Sequence, residues 1–103
     1  MSTYIGPDRR RHCVLVTGNS EYHMRGRRCV AVRRSDGRWL DGHIAEGAEL
    51  VALLEPNGAF RSAEETLPGV GARLMFNTDV VTSPVCDVHR PTVTAVHHYP
   101  IAA

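Results

Sequence analysis

Three short turn signals constrain the fold of this chain more than any other feature. Asp36-Gly37, Asn57-Gly58 and Asn77-Thr78-Asp79 each lie between short apolar or alternating segments. Asp, Asn and Gly tolerate the positive φ angles of tight hairpin turns, so each signal predicts a β-hairpin. We therefore expect an all-β fold, a small antiparallel barrel or roll of about six or seven strands with at most one short helix.

The segments around these turns have the period-two pattern of strands. In 71–76, alternation places Leu74 and Phe76 in the core and Met75 on the opposite face. Pro84 lies inside another such segment and indicates an edge, a bulge or a strand break. The predicted strands are 12–17, 27–34, 38–40, 71–76, 80–88 and 91–99.

Two segments are harder to interpret. Residues 43–55 contain good helix formers, but Gly47 interrupts them and they lead into the Asn57-Gly58 turn, which favours a strand over roughly 48–55. Ser62 and Glu65 have capping-box spacing, so a single helical turn is expected in 62–67.

Length and composition indicate one globular domain of 103 residues, with 1–11 as a flexible arm. No apolar run reaches the roughly 20 residues of a membrane span, and the N-terminus lacks the apolar region of a signal peptide. We expect a cytoplasmic protein with three free cysteines. All 12 basic residues are arginine, a usage typical of GC-rich bacterial genomes.

The charge is unevenly distributed. Residues 1–40 hold nine arginines and three acidic residues, a net charge of +6, whereas 41–103 hold three arginines and eight acidic residues, a net charge of −5. This asymmetry predicts an anion-binding surface, pairing between the two halves, or pairing between subunits.

Two groups of arginines are candidate binding residues. The first precedes the first strand, and the second combines the segment RGRR (25–28) with the arginines around the Asp36-Gly37 turn. Tyr22 and Trp39 are nearby aromatic residues, a combination that small barrels use for single-stranded nucleic acid. The overall charge of +1 makes nucleic acid a less favoured partner. The candidate residues are Arg9, Arg10, Arg11, Arg28, Arg33, Arg34 and Arg38.

The segment PDRRRH (7–12), directly before a predicted strand, resembles the start of a PilZ domain, a bacterial β-barrel that binds cyclic di-GMP. The resemblance implies that Arg9, Arg10 and Arg11 grip phosphates and guanines. In that family a second arginine follows four residues later, whereas this chain has Cys13, Val14 and Leu15 there. The family's second motif, Asp/Asn-x-Ser-x-x-Gly, is matched neither by 19–24 nor by 36–42.

No catalytic or metal-binding pattern is evident in the sequence. His97 and His98 would point to opposite faces of a strand, and so would Cys86 relative to Asp87 and His89. We expect no cofactor, no metal and no enzymatic activity. The favoured hypothesis is a non-catalytic binding or regulatory domain that contacts an acidic protein surface or forms a homodimer, with a phosphate-bearing ligand as a further option. The alternatives are a degenerate PilZ-like receptor and a weak nucleic-acid binder.

Overall fold

A computed structural model describes residues 12–63 and 68–99, and these residues form two antiparallel sheets. The first sheet has five strands in the order β4-β3-β2-β1-β9, and the second has four in the order β6-β5-β7-β8. The elements are β1 (His12–Val16), β2 (Ser20–Arg25), β3 (Arg28–Arg34), β4 (Trp39–Leu40), β5 (Leu50–Leu54), β6 (Phe60–Ser62), β7 (Arg73–Phe76), β8 (Val81–Pro84), β9 (Asp87–His89) and α1 (Val93–His97).

All three predicted hairpins are confirmed. The Asp36-Gly37 turn joins β3 to β4, the Asn57-Gly58 turn joins β5 to β6, and Asn77–Asp79 joins β7 to β8. Gly37 and Gly58 adopt φ angles of 92° and 87°, and Asp79 adopts 64°. These are the left-handed conformations that the turn residues were expected to supply.

The all-β class is confirmed, and so is a strand rather than a helix before the Asn57-Gly58 turn, since β5 occupies Leu50–Leu54. The prediction of a barrel is not met, because the two sheets stay open within the described part of the chain. That part already contains nine strands, more than expected, because several span only two or three residues. The arm 1–11 and most of the predicted helical turn at 62–67 lie outside the described residues.

The strand predicted over 91–99 is wrong. Val93–His97 form a helix, and the Thr92 hydroxyl accepts a hydrogen bond from the Ala95 amide at 3.1 Å. This N-cap satisfies a backbone donor that the helix itself cannot, and the burial of Ala95 adds a packed contact. Both effects outweigh the strand propensity of the Val- and Thr-rich sequence.

Two other differences concern strand boundaries. β2 was not predicted; it is the central strand of the first sheet and carries the polar sequence SEYHMR. The single strand predicted over 80–88 is divided after Pro84 into β8 and β9, which belong to different sheets. The expected break at the proline is therefore confirmed.

The main core lies between the two sheets. Leu15, Tyr22 and Val32 of the first sheet belong to the same buried cluster as Leu53 and Leu74 of the second. The cluster is completed by Met24, Cys29, Ala45, Ala48, Leu50, Ala72, Phe76 and Val85.

The first sheet is buried on its second face as well. In β3, Val30 and Ala31 are both almost inaccessible, yet neither belongs to the buried cluster between the sheets. Strand partners in register share a face, which places His23 opposite both Val14 and Ala31. Tyr99, two residues beyond α1, lies over this face with its ring 5.2 Å from that of His23. The C-terminal segment therefore covers a surface that would otherwise face solvent.

Among the described residues, no helix is long and apolar enough to cross a membrane.

The register of β7 gives the first testable prediction. Leu74 and Phe76 are buried and Met75 is half-buried, as the alternation predicted. Phe76 packs against Tyr22 with ring centroids 5.6 Å apart. We expect Phe76→Ala to lower the free energy of unfolding by about 3–5 kcal/mol, and Met75→Ala to lower it clearly less. Urea denaturation measures both, and equal losses for the two variants would contradict this register.

Candidate functional site

The structure separates the candidate arginines that it describes into two locations. Arg28 begins β3, whereas Arg33 and Arg34 end it and Arg38 follows the next turn. Six residues of extended strand place Arg28 and Arg34 about 20 Å apart. Arg9, Arg10 and Arg11 lie outside the described residues. The candidate set is therefore not one continuous site.

The arginines near the Asp36-Gly37 turn are largely engaged with their neighbours. The Arg33 guanidinium lies 5.3 Å from the centroid of the Trp39 ring, and its Nε donates to the Gly37 carbonyl at 3.1 Å. Arg34 pairs with Asp36 at 3.8 Å, with both side chains more than half exposed. Glu21 lies opposite Arg33 in register. Acidic groups thus offset much of the positive charge at this end of the sheet.

The β2–β3 hairpin concentrates positive charge at the opposite end. Arg25 lies directly opposite Arg28 in register, and Arg27 lies in the turn between them. Like charges at directly opposite positions destabilise a strand pair. Glu49 lies opposite Arg28 in an isolated bridge, but no ion pair joins these two described side chains. We call Arg25, Arg27 and Arg28 the cationic hairpin end.

A cavity of about 470 Å³ lies next to this hairpin. Its volume falls in the range of small-molecule sites, about 300–1,000 Å³. Its lining comes from both sheets and from the segments that follow 64–67 and β9. The lining residues are His12, Cys13, Leu15, Met24, Gly26, Leu50, Pro68, Val88, His89 and Arg90.

The cavity has an apolar floor and an open, polar side. Leu15, Met24 and Leu50 are each at most 2% exposed and form the floor. Gly26, Val88, His89 and Arg90 are exposed and mark the open side. The arrangement combines apolar walls with one permanent cation at the edge.

The second face of the first sheet contains a buried hydrogen-bonded chain. His23 is 1% exposed, and its Nδ1 lies 2.7 Å from the Tyr99 hydroxyl. Its Nε2 lies 3.1 Å from a carboxylate oxygen of Glu21. The Trp39 ring packs beside it at 4.9 Å between centroids.

The partners of His23 define its tautomer. An ionised carboxylate only accepts hydrogen bonds, so Nε2 carries the proton and donates to Glu21. Nδ1 is then the acceptor of the Tyr99 O–H. Both ring nitrogens are satisfied in the neutral form, which suits a structural histidine at a buried position.

Burial also shifts the pKa values of His23 and Tyr99 in this hydrogen-bonded chain. Loss of hydration lowers the pKa of His23 from 6.5 to about 4, although the hydrogen bond and charge of Glu21 act in the opposite direction. Burial, with the nearby charge of Glu21, raises the pKa of Tyr99. At neutral pH the histidine and the phenol are therefore both uncharged.

The cysteines are free thiols, as predicted: Cys13 is half-buried, Cys29 buried and Cys86 exposed. Burial raises the pKa of the Cys29 thiol to about 12 and also raises the pKa of Cys13. Because the thiolate is the nucleophilic form, neither thiol is activated at neutral pH.

Within 12–63 and 68–99, no group of three or more His, Cys, Asp or Glu side chains is placed to hold a metal ion. No protein-family model, curated protein or solved structure matches this chain.

Sequence reasoning identified part of the site and missed the rest. The RGRR segment marked the hairpin end, although the in-register pairing of Arg25 with Arg28 required β2, which was not predicted. His89 and Arg90 line the cavity because His89 ends β9 and Arg90 follows it. β9 was not predicted as a separate strand, since 80–88 was predicted as one strand. The partnership of His23 with Tyr99 spans 76 residues and has no local sequence signal.

The shifted pKa of His23 predicts loss of stability in mild acid. Above pH 6.5 the His23 ring is neutral in both the folded and the unfolded protein. Below pH 6.5 the unfolded chain binds a proton at this ring, whereas the folded protein binds that proton only near pH 4. Stability is therefore lost as the pH falls from 6.5 to 4, by about 3 kcal/mol.

This prediction is tested by urea denaturation between pH 7.5 and 4 on the wild type, on His23→Gln and on the exposed control His98→Gln. We expect the pH dependence to be much weaker in His23→Gln and unchanged in His98→Gln. Parallel pH profiles for all three proteins would show that His23 does not bind its proton as described.

Proposed function

We propose that this protein is a non-catalytic binding or regulatory domain that uses its cationic hairpin end to contact an acidic protein surface. The observation that carries the proposal is the in-register pairing of Arg25 with Arg28, with Arg27 in the turn between them. A like-charged pair at a hairpin end costs stability. An acidic partner would offset the repulsion between these arginines, and the relief of that repulsion would contribute to the binding free energy.

The arginine ion pairs between described residues stay within one half of the chain. Between described residues, Arg34 pairs with Asp36 and Arg61 with Glu55, so each pair joins residues of the same half. The positive charge of the first half is thus not neutralised by ion pairs between described residues of the two halves.

A carboxylate-rich protein fits this surface better than a second copy in a closed dimer. In a closed dimer whose two-fold axis passes through the cationic hairpin end, that end would meet itself, and like charges would repel. The planar guanidinium groups match carboxylates through paired N–H donors, which gives directional as well as electrostatic recognition.

The state of the reactive side chains supports a role in binding rather than catalysis. Both nitrogens of His23 are occupied by Tyr99 and Glu21, so this histidine is not free to act as a general base. The raised pKa values of Cys13 and Cys29 keep these thiols protonated. Free thiols also suit a reducing compartment, which supports a cytoplasmic location.

The proposal is tested by fluorescence anisotropy with a labelled oligoglutamate peptide at low salt. We expect Arg25→Glu with Arg28→Glu to weaken binding by roughly tenfold or more, because opposite charges become like charges. The matched control, Arg34→Glu with Arg38→Glu, reverses two arginines at the other end of β3 and should have a smaller effect. Added salt should weaken wild-type binding.

Other outcomes would overturn the proposal. Equal effects of the two double variants would remove the hairpin end as the specific site. Binding of cyclic di-GMP that is abolished by replacing Arg9, Arg10 and Arg11 with alanine would favour the PilZ-like alternative. Stronger binding of a single-stranded oligonucleotide than of the peptide, with a steep salt dependence, would favour the nucleic-acid alternative.

A further inference from the structure

We propose that the cavity beside the β2–β3 hairpin is a binding site for a small amphipathic carboxylate of medium chain length. The apolar tail would lie between the two sheets, and the carboxylate would lie at the open side next to Arg90. This is a second site, because the acidic partner above contacts Arg25 and Arg28.

The walls of the cavity suit an apolar tail. Leu15 and Met24 of the first sheet and Leu50 of the second form the floor, and Cys13, Pro68 and Val88 complete the walls. Val88 remains 38% exposed, so part of an apolar wall faces solvent in the free protein. Covering it with a hydrocarbon chain removes apolar area from water on both partners.

The open side of the cavity selects the charge of the ligand. Arg90 is exposed and permanently charged. The adjacent His89 has its Nδ1 3.0 Å from the Arg90 carbonyl oxygen, and since a carbonyl only accepts, Nδ1 donates. The Nδ1 of His89 is therefore occupied within the chain, and Arg90 is the residue that binds the carboxylate. The cationic hairpin end beside the cavity also favours an anion.

The volume limits the length of the ligand. A methylene group occupies roughly the space of one water molecule, about 30 Å³. The cavity of about 470 Å³ corresponds to roughly 15 such groups, so a carboxylate of eight to ten carbons fits inside it and about 13 carbons is the upper limit. A shorter chain leaves apolar wall uncovered, and a much longer chain extends into solvent.

The test is isothermal titration calorimetry of the full chain with hexanoate, octanoate and decanoate, with 1-octanol as the uncharged probe. We expect affinity to rise by up to about fourfold for each added methylene. Octanol should bind more weakly than octanoate. Arg90→Ala should weaken octanoate by roughly fivefold or more and leave octanol unchanged. The matched control Arg34→Ala, an exposed arginine about 20 Å from Arg28, should leave both unchanged.

A second measurement detects occupancy of the cavity without the Arg90 variant. In a Cys86→Ser background, decanoate should slow the alkylation of Cys13 by iodoacetamide, because Cys13 lines the cavity. Cys29 is fully buried and should not compete for the reagent. The filling variant Val88→Trp should abolish both binding and protection.

The proposal fails if no carboxylate binds and Cys13 is not protected. It also fails if octanol and octanoate bind equally and Arg90→Ala changes neither, since the cavity would then not recognise a carboxylate. Loss of oligoglutamate binding in the Arg25 and Arg28 variant with retention of octanoate would show that the two sites are independent.

Discussion

The five-stranded sheet has two buried faces, and the rest of the structure depends on how the second face is satisfied. One face packs against the second sheet as an ordinary apolar core. The other carries His23, a polar group that is costly to bury unless both of its nitrogens find partners. Tyr99 and Glu21 provide those partners at 2.7 and 3.1 Å. This chain of hydrogen bonds holds the C-terminal segment on the sheet, where His98 and Tyr99 also contact the Trp39 ring.

The passage of the chain between the two sheets positions the candidate ligand cavity. After β8 ends at Pro84, the amide of Val85 donates to the Ala72 carbonyl, and the amide of Cys86 donates to the Val16 carbonyl at 2.7 Å. Val85 thus bonds to the residue before β7 of the second sheet, and Cys86 bonds to β1 of the first sheet. The chain therefore crosses from the second sheet to the first between these two residues. The crossing makes β9 the neighbour of β1 and brings Val88, His89 and Arg90 to the cavity.

Local signals in the sequence predicted the parts of the fold that depend on neighbouring residues. The three turns, the inward position of Leu74 and Phe76, and the break at Pro84 all follow from φ preferences, alternation or the missing proline N–H. The helix after Thr92 was missed because its capping hydrogen bond and the burial of Ala95 outweighed strand propensity. β2 was missed because His23, in its middle, is buried through a hydrogen bond to Tyr99, 76 residues away, which a local pattern does not reveal. The cavity likewise has no local sequence signal, because it is the sheet topology that brings Leu50 of β5, residues of β1 and Arg90 to one place.

The protonation state of His23 decides whether the second face of the first sheet is satisfied in this way. Nitrogen-15 spectra of the histidine side chains report the tautomer of each ring and the pH at which it becomes charged. We predict that His23 is neutral at pH 7, carries its proton on Nε2, and titrates only near pH 4. A His23 ring protonated on Nδ1, or charged with an ordinary pKa near 6.5, would contradict the hydrogen-bonded chain from Tyr99 to Glu21.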